Sequence, residues 1–439
     1  MKPARLFLAL AMIHFAVGVT LGGLMAVDTS LWGVLSPIHA ELNPFGWLTM
    51  LIYGMTYAVL ASFAKFPPLP PRAAAAHVIC AETGVAAIAL GAALSLNVLM
   101  EMGWLFQALA PLLFLRNILW IVRSRQSVSV DHPSADHPVS DHPPADLPPA
   151  ERRSEASAAA PVSGMTDHGL LTPAAYAGPT DRVAQRGTSL ALLCWIAAAV
   201  WMAADILRSP ASAASDMPVG VQSLVYYGWI SGTVLAVSLH LLPRFAGKAS
   251  VGRRQSSLIQ MVWLAGVAFA SIASESGGAI GRIGVGLIGL ALVWNASLYV
   301  WQMRRDWFHR LGVTSGAAWF ASWCFSWVLG ARLLWGFNPL SLVSLHLMFL
   351  GWITTLVYGV GYTLFPRVLR RNVRHGWAAP AQMATSIIGA ALMPVGFSLI
   401  DRGSAAGTGI LAVGGVFAGL GALSFIVIWS ASKREGDTA

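Results

Sequence analysis

The chain has 439 residues, 56% of them hydrophobic and only 11% charged, with a mean hydropathy of +0.64. A soluble domain carries about 25% charged residues, so a soluble fold is excluded. The net charge of +9 sits in short loops beside apolar runs, which argues against nucleic acid as a partner and for a lipid bilayer.

Apolar runs of about 20 residues, enough to cross ~30 Å of hydrocarbon, recur along the chain. They predict twelve spans: 5–27, 39–64, 74–99, 103–123, 188–207, 220–243, 256–274, 280–303, 314–335, 340–365, 378–400 and 406–431. The first run has no small-residue cleavage site after it and reads as a retained span, not a signal peptide. Lys and Arg gather before span 1 (Lys2, Arg5) and after span 2 (Lys65, Arg72). They gather again after span 4 (Arg123, Arg125), span 6 (Arg244, Lys248) and span 8 (Arg304, Arg305). The same holds after span 10 (Arg367, Arg370) and span 12 (Lys433, Arg434). The alternate loops carry few. This positive-inside pattern predicts a plasma or inner membrane protein with both termini cytoplasmic.

The chain divides into a first four-helix unit (1–124), a linker (125–187) and an eight-helix membrane unit (188–439) that divides again into four and four. The linker is rich in Pro, Ala, Ser and Asp and repeats Asp-His-Pro at 131–133, 136–138 and 141–143. It cannot bury a core and is expected to be a disordered cytoplasmic spacer. Its histidines could hold a metal loosely; a solvated spacer is the simpler reading. Cys80, Cys194 and Cys324 lie in separate spans without a CxxC and read as small buried apolar residues.

Three stretches resemble one another: 39–57, 226–244 and 344–367. Each contains Gly-Trp (Gly46-Trp47, Gly228-Trp229, Gly351-Trp352). The second and third reach Pro-Arg fifteen residues after that Gly. The first and third share Tyr-Gly (Tyr53-Gly54, Tyr358-Gly359) and each has a histidine upstream. Each stretch is then the second helix of a four-helix unit, and the fold class is all-α with pseudo-threefold repeats.

Ionisable groups inside a membrane are costly and are functional candidates. The set is His14, His39, His77, Glu82, Arg116, His240, Glu275, Arg282, Arg332 and His346. His39 lies fifteen residues before Gly54, and His346 thirteen before Gly359. With those glycines at equal depth, the histidines differ by ~3 Å along the axis at ~1.5 Å per residue. Two imidazoles at matching depth on parallel helices can clamp one iron from opposite faces, as in a low-spin bis-histidine haem. The alternative is two interfacial histidines bonded to backbone or water. His14 reads as a packed histidine or one facing the cofactor. His77 and Glu82, five apart, are ~140° apart around the helix and do not form one tight site. Arg282 and Arg332 are possible propionate contacts or snorkelling interfacial cations.

These residues resemble the catalytic subunit I of heme-copper oxidases (cytochrome c oxidase and the nitric oxide reductase large subunit), a twelve-helix family with pseudo-threefold symmetry. His39-Ala40 and Gly54 match its second helix; His346, Gly359 and Phe365-Pro366 match its tenth. The resemblance implies His39 and His346 as axial ligands of one low-spin haem, b-type. Ser344 stands where the family has the high-spin haem ligand. Span 7 has no histidine for the family's copper, and Trp229 stands where a Gly-His pair is expected in span 6, so copper is not expected. The His39 stretch is also similar to NnrS-type proteins linked to nitric oxide stress, whose fuller Trp-His signature is missing. The resemblance implies electron transfer or nitric oxide and oxygen handling or sensing, with a cytochrome or quinol as redox partner. The alternative is a cofactor-free transporter or assembly factor on the same fold. For the topology, a reporter fused after Ala439 or inside the linker is expected to be active only in its cytoplasmic form; a periplasmic signal would overturn the helix count.

Overall fold

In lipid, every backbone N–H and C=O must be paired within the chain, which leaves helices as the economical way to cross. The computed structural model describes residues 2–63, 69–130, 179–208, 217–245, 251–272, 278–302, 308, 311–366, 371–372 and 376–434. Twelve helices account for nearly all of them: α1 (Lys2–Val27), α2 (32–63), α3 (Pro71–Leu94), α4 (Asn97–Val130), α5 (Pro179–Arg208) and α6 (219–245), then α7 (Arg253–Ile272), α8 (Ala279–Gln302), α9 (Val313–Leu334), α10 (Leu342–Thr363), α11 (Ala378–Asp401) and α12 (Ala406–Ser430). Ten of the twelve are long and apolar enough to cross a membrane. The other two, α2 and α6, are long but diluted by Asn43, Pro44 and paired tyrosines. The one strand pair among the described residues joins Arg371–Asn372 to Lys433–Arg434, antiparallel.

The helix ends differ from the sequence reading in three places. The second helix begins at Trp32 rather than 39, after a short turn (Thr29–Leu31) capped by Asp28. Asp28 Oδ1 accepts from the Ser30 amide (3.0 Å) and hydroxyl (2.6 Å), and those bonds hold its carboxyl below the usual range. The helices flanking the linker also run further, to Val130 and from Pro179, so both expected linker boundaries (125 and 187) fall within helix. No proline interrupts the chain between Pro111 and Pro133. The Asp-His-Pro repeat, 131–148, lies outside the described residues.

The repeat seen in the sequence is a repeat of backbone form. α2, α6 and α10 each contain one π-helical segment: Leu42–Thr49, Leu224–Ser231 and Leu347–Thr354. All three are eight residues long, with the Gly of Gly-Trp fifth and the Trp sixth. Each is closed on its C-terminal side by an N–H bonded back to that Trp carbonyl (Met50, Gly232 and Thr355). A π turn admits an extra residue while keeping the backbone hydrogen-bonded, so the helix widens without orphaning a polar group in the bilayer.

The widened turn matters because of what it seats. A Cβ on Gly46 would come 2.7 Å from His14 Cγ, one on Gly228 2.7 Å from Cys194 Cβ, and one on Gly351 2.8 Å from Phe325 Cγ. In each unit the second helix therefore receives a side chain from the first: α1, α5 and α9. The tryptophans that follow are buried (Trp47, Trp229, Trp352). Phe15 stacks on Trp47 at 4.2 Å, and the Trp229 indole N–H bonds to Thr49 Oγ1 at 3.1 Å, tying the first unit to the second. Ser231 donates to Met348 Sδ at 3.3 Å, tying the second to the third. The hydrophobic core thus converges on the three π turns. Among the ten candidate spans α10 is the most interior, 67% buried where the other nine are 33–50%.

Elsewhere the helices approach through small residues, the usual means of association in lipid. Gly289 and Gly330 face each other across α8 and α9, each Cβ position 2.7 Å from the other's carbonyl oxygen. Gly389 and Gly396 admit Ala418 and Leu411 in the α11–α12 pair.

Substituting Gly46→Leu, Gly228→Leu or Gly351→Leu forces a clash at a buried joint and is expected to cost about 1–3 kcal/mol or more, as overpacking does. Thermal unfolding in detergent reads this. Gly286→Ala is the control, because no atom lies within 4 Å of its Cβ position. Equal melting of all four variants would show that the π turns are not close-packed.

Candidate functional site

The two histidines singled out by depth lie in one cleft. His39, on the last turn of α2 before its π segment, and His346, on the residue before the π segment of α10, line the same pocket. The walls come from α1 (Phe15, Val19, Gly22, Gly23), α12 (Gly415, Gly419) and the three π segments, that of α6 through Tyr226. The free interior is about 160 Å³, within about 900 Å³ of space counting the open mouth.

Backbone carbonyls set the chemistry of both rings. His39 Nδ1 lies 2.8 Å from Gly18 O, and His346 Nδ1 lies 2.8 Å from Leu342 O. A carbonyl only accepts, so each imidazole donates from Nδ1 and carries its lone pair on Nε2. That is the tautomer with a free metal-ligating nitrogen, oriented by a hydrogen bond on the other one. Gly22 makes the His39 pose possible: a Cβ there would come 2.6 Å from His39 Cε1. Asn43 Nδ2 donates to the His39 carbonyl at 2.8 Å and hovers 3.3–3.4 Å from both ring nitrogens, too evenly placed to be a good bond to either. The His346 ring packs on Phe397, centroids 4.7 Å apart.

Ser344, two residues before His346, points elsewhere. Its hydroxyl donates to Asn338 O at 2.8 Å and accepts from Ser341 Oγ at 3.0 Å, while its N–H is capped by Ser341 Oγ at 3.3 Å. It builds the N-terminal cap of α10.

The other ionisable residues fall into separate places. His14 Nε2 meets Glu82 Oε2 at 2.9 Å, joining α1 to α3; it is a packed histidine, and its partner is a carboxylate. His77 is fully buried, its Nδ1 2.9 Å from Tyr57 Oη, which accepts from Asn117 Nδ2 at 3.1 Å. His77 and Glu82 thus have different partners, in keeping with their angular separation. Arg282, exposed at the start of α8, does not line the histidine cleft. Neither does Arg332, whose guanidinium lies 4.2 Å over the Phe337 ring. The side chain of His240, and Glu275 altogether, lie outside the described residues. Among the described residues no three His, Cys, Asp or Glu side chains gather as a metal group.

Several cleft residues escaped the sequence reading: Gly22, Gly23, Gly415 and Gly419, together with Asn43, Tyr226 and Met393. The glycine pair in α1 and the Gly415-to-Gly419 spacing in α12 were the available signal.

The fold has a solved counterpart. The chain matches a chain of a heme-copper terminal oxidase dimer with a TM-score of 0.60 at 14% sequence identity, over 99% of this chain and 84% of that one. The protein therefore has the multi-span, all-helical fold of a heme-copper oxidase chain, as its repeat and topology implied. No family model and no curated protein matches it.

Proposed function

We propose that this is a haem protein of the plasma or inner membrane, with His39 and His346 as the two axial ligands of one low-spin haem. The observation that carries the reading is the pair of Nε2 lone pairs in one apolar cleft, each fixed by an Nδ1–H bond to a main-chain carbonyl. Supporting it are the oxidase fold and the placing of both histidines within three residues of the start of a π turn. A porphyrin is larger than the cleft's 160 Å³ interior, so seating one would need side chains of the wall to move.

A haem held there would supply a one-electron iron couple. The chain's own residues supply the rest. His39 and His346 would both hold the iron, an arrangement that would favour electron transfer over gas binding. The apolar walls exclude water, and the carbonyl bonds raise imidazole basicity. Arg282 and Arg332 carry the positive charge that haem propionates would need, and neither lines the cleft. Sequence positions where copper-ligating histidines would be required hold none, and Ser344 is spent on the helix cap, so the reading contains no second metal.

The test is a reduced-minus-oxidised optical spectrum of purified protein. The low-spin haem band is expected in wild type and lost in His39→Ala and in His346→Ala. It should fall in Gly22→Ala, where the added methyl displaces the His39 ring, and persist in His240→Ala. Absence of haem in wild type would favour the cofactor-free transporter or assembly factor. Reconstituted protein given an artificial electron donor is expected to consume neither oxygen nor nitric oxide catalytically. Sustained cyanide-sensitive consumption would mean that a second metal site exists, with His14 and His77 first to be tested.

A further inference from the structure

A second cavity lies away from the histidines, where the N-terminal end of α3 meets the C-terminal half of α4. Its free interior is about 590 Å³, well over three times that of the histidine cleft. Three cations rim it: Arg72 from the first turn of α3, and Arg116 and Arg123 from α4. Arg116 and Arg123 are seven residues apart and so share one face of the helix. All three are exposed, and among the described residues none forms an ion pair. The floor is different in kind. Leu112, Leu115 and Leu119, at helical spacing on α4, line it together with Trp120. From Leu112 to Arg123 the cavity follows α4 for ~16 Å at ~1.5 Å per residue, from the interfacial level into the hydrocarbon. The positive end of the α3 dipole opens on it through Pro70 and Ala73.

We propose that this cavity is a binding site for an anionic glycerophospholipid. Its phosphate is held by Arg72, Arg116 and Arg123, and an acyl chain lies along Leu112, Leu115 and Leu119. The argument is amphipathic complementarity: guanidinium donors fit phosphate oxygens in a forked geometry, and basic pockets between membrane helices take acidic headgroups. A zwitterionic lipid leaves the surplus positive charge unpaired. A free phosphate leaves the apolar floor empty. The acidic linker, which follows α4 directly, offers Asp131, Asp136 and Asp141 as competitors, but between 131 and 146 its one branched apolar residue is Val139, too little to fill a leucine-lined floor. The site is independent of the haem reading.

The test is native mass spectrometry of the full-length protein titrated with dioleoyl phosphatidylglycerol, dioleoyl phosphatidylcholine or inorganic phosphate. Wild type is expected to bind phosphatidylglycerol at least tenfold more tightly than phosphatidylcholine. Arg72→Gln/Arg116→Gln/Arg123→Gln should abolish that preference, and Arg116→Lys/Arg123→Lys should keep part of it. Arg253→Gln/Arg254→Gln, at another basic loop, should leave it intact. Thermal melting separates a lost site from a lost fold, with the lysine variant as the folded reference. Equal affinity for the two lipids, or a preference that survives the triple substitution, overturns the proposal. Displacement of phosphatidylglycerol by equimolar inorganic phosphate would make it a simple anion site and also overturn it. So would lipid binding that appears only after deletion of 131–149, which would identify the linker as the occupant.

Discussion

Three helices of this protein have to be wide where they meet, and a bilayer forbids widening a helix by breaking its hydrogen bonds. The π turns at Leu42–Thr49, Leu224–Ser231 and Leu347–Thr354 meet both demands. Each puts a glycine where a neighbour's side chain must enter and a tryptophan where the bundle centre must be filled. The lateral bonds from Trp229 to Thr49 and from Ser231 to Met348 then fix the three units against one another. The positions of α1, α5 and α9 follow from this joint, because each is located by the side chain it inserts there.

The histidine cleft is a product of the same joint. Its floor is made of residues of all three π segments, and its side walls are α1 and α12, which stay narrow through Gly22, Gly23, Gly415 and Gly419. Backbone carbonyls of Gly18 and Leu342 decide which imidazole nitrogen is free. Ring protonation is thereby assigned by main-chain geometry, which is stiffer than any side-chain arrangement.

Much of this was legible in the sequence. Hydropathy and loop charge give the spans, since both report directly on the bilayer. The recurrence of Gly-Trp marked the threefold plan, and the depth of His39 and His346 marked the cleft. What was hidden depended on rotation about helix axes. The pairing of His14 with Glu82 needs two helices whose relative phase no local pattern encodes. The π segments have no compositional signature: LNPFGWLT, LVYYGWIS and LMFLGWIT share little beyond Gly-Trp. Ser344 stands at the position of a missing ligand, and its hydroxyl is bonded to Asn338 O in the loop before the helix while Ser341 caps its N–H. Arg282 and Arg332 share the right polarity with the cleft but not its address.

An extra residue inside a helix is also a phase shift. At ~100° per residue, the one-residue excess of each π turn rotates everything on its N-terminal side relative to everything after it. The half of α2 that carries His39 and the half that carries Tyr53 and Tyr57 are therefore set in different registers, one aimed at the cleft and the other at His77 and Phe114. A single helix thus serves two interior sites that an uninterrupted α-helix of the same sequence would point elsewhere. Shortening Leu42–Thr49 by one residue would restore ordinary pitch and turn His39 by about a quarter of a revolution, away from Gly18 and His346. The spacing of this chain is for that reason as much a determinant of its chemistry as the identity of its histidines.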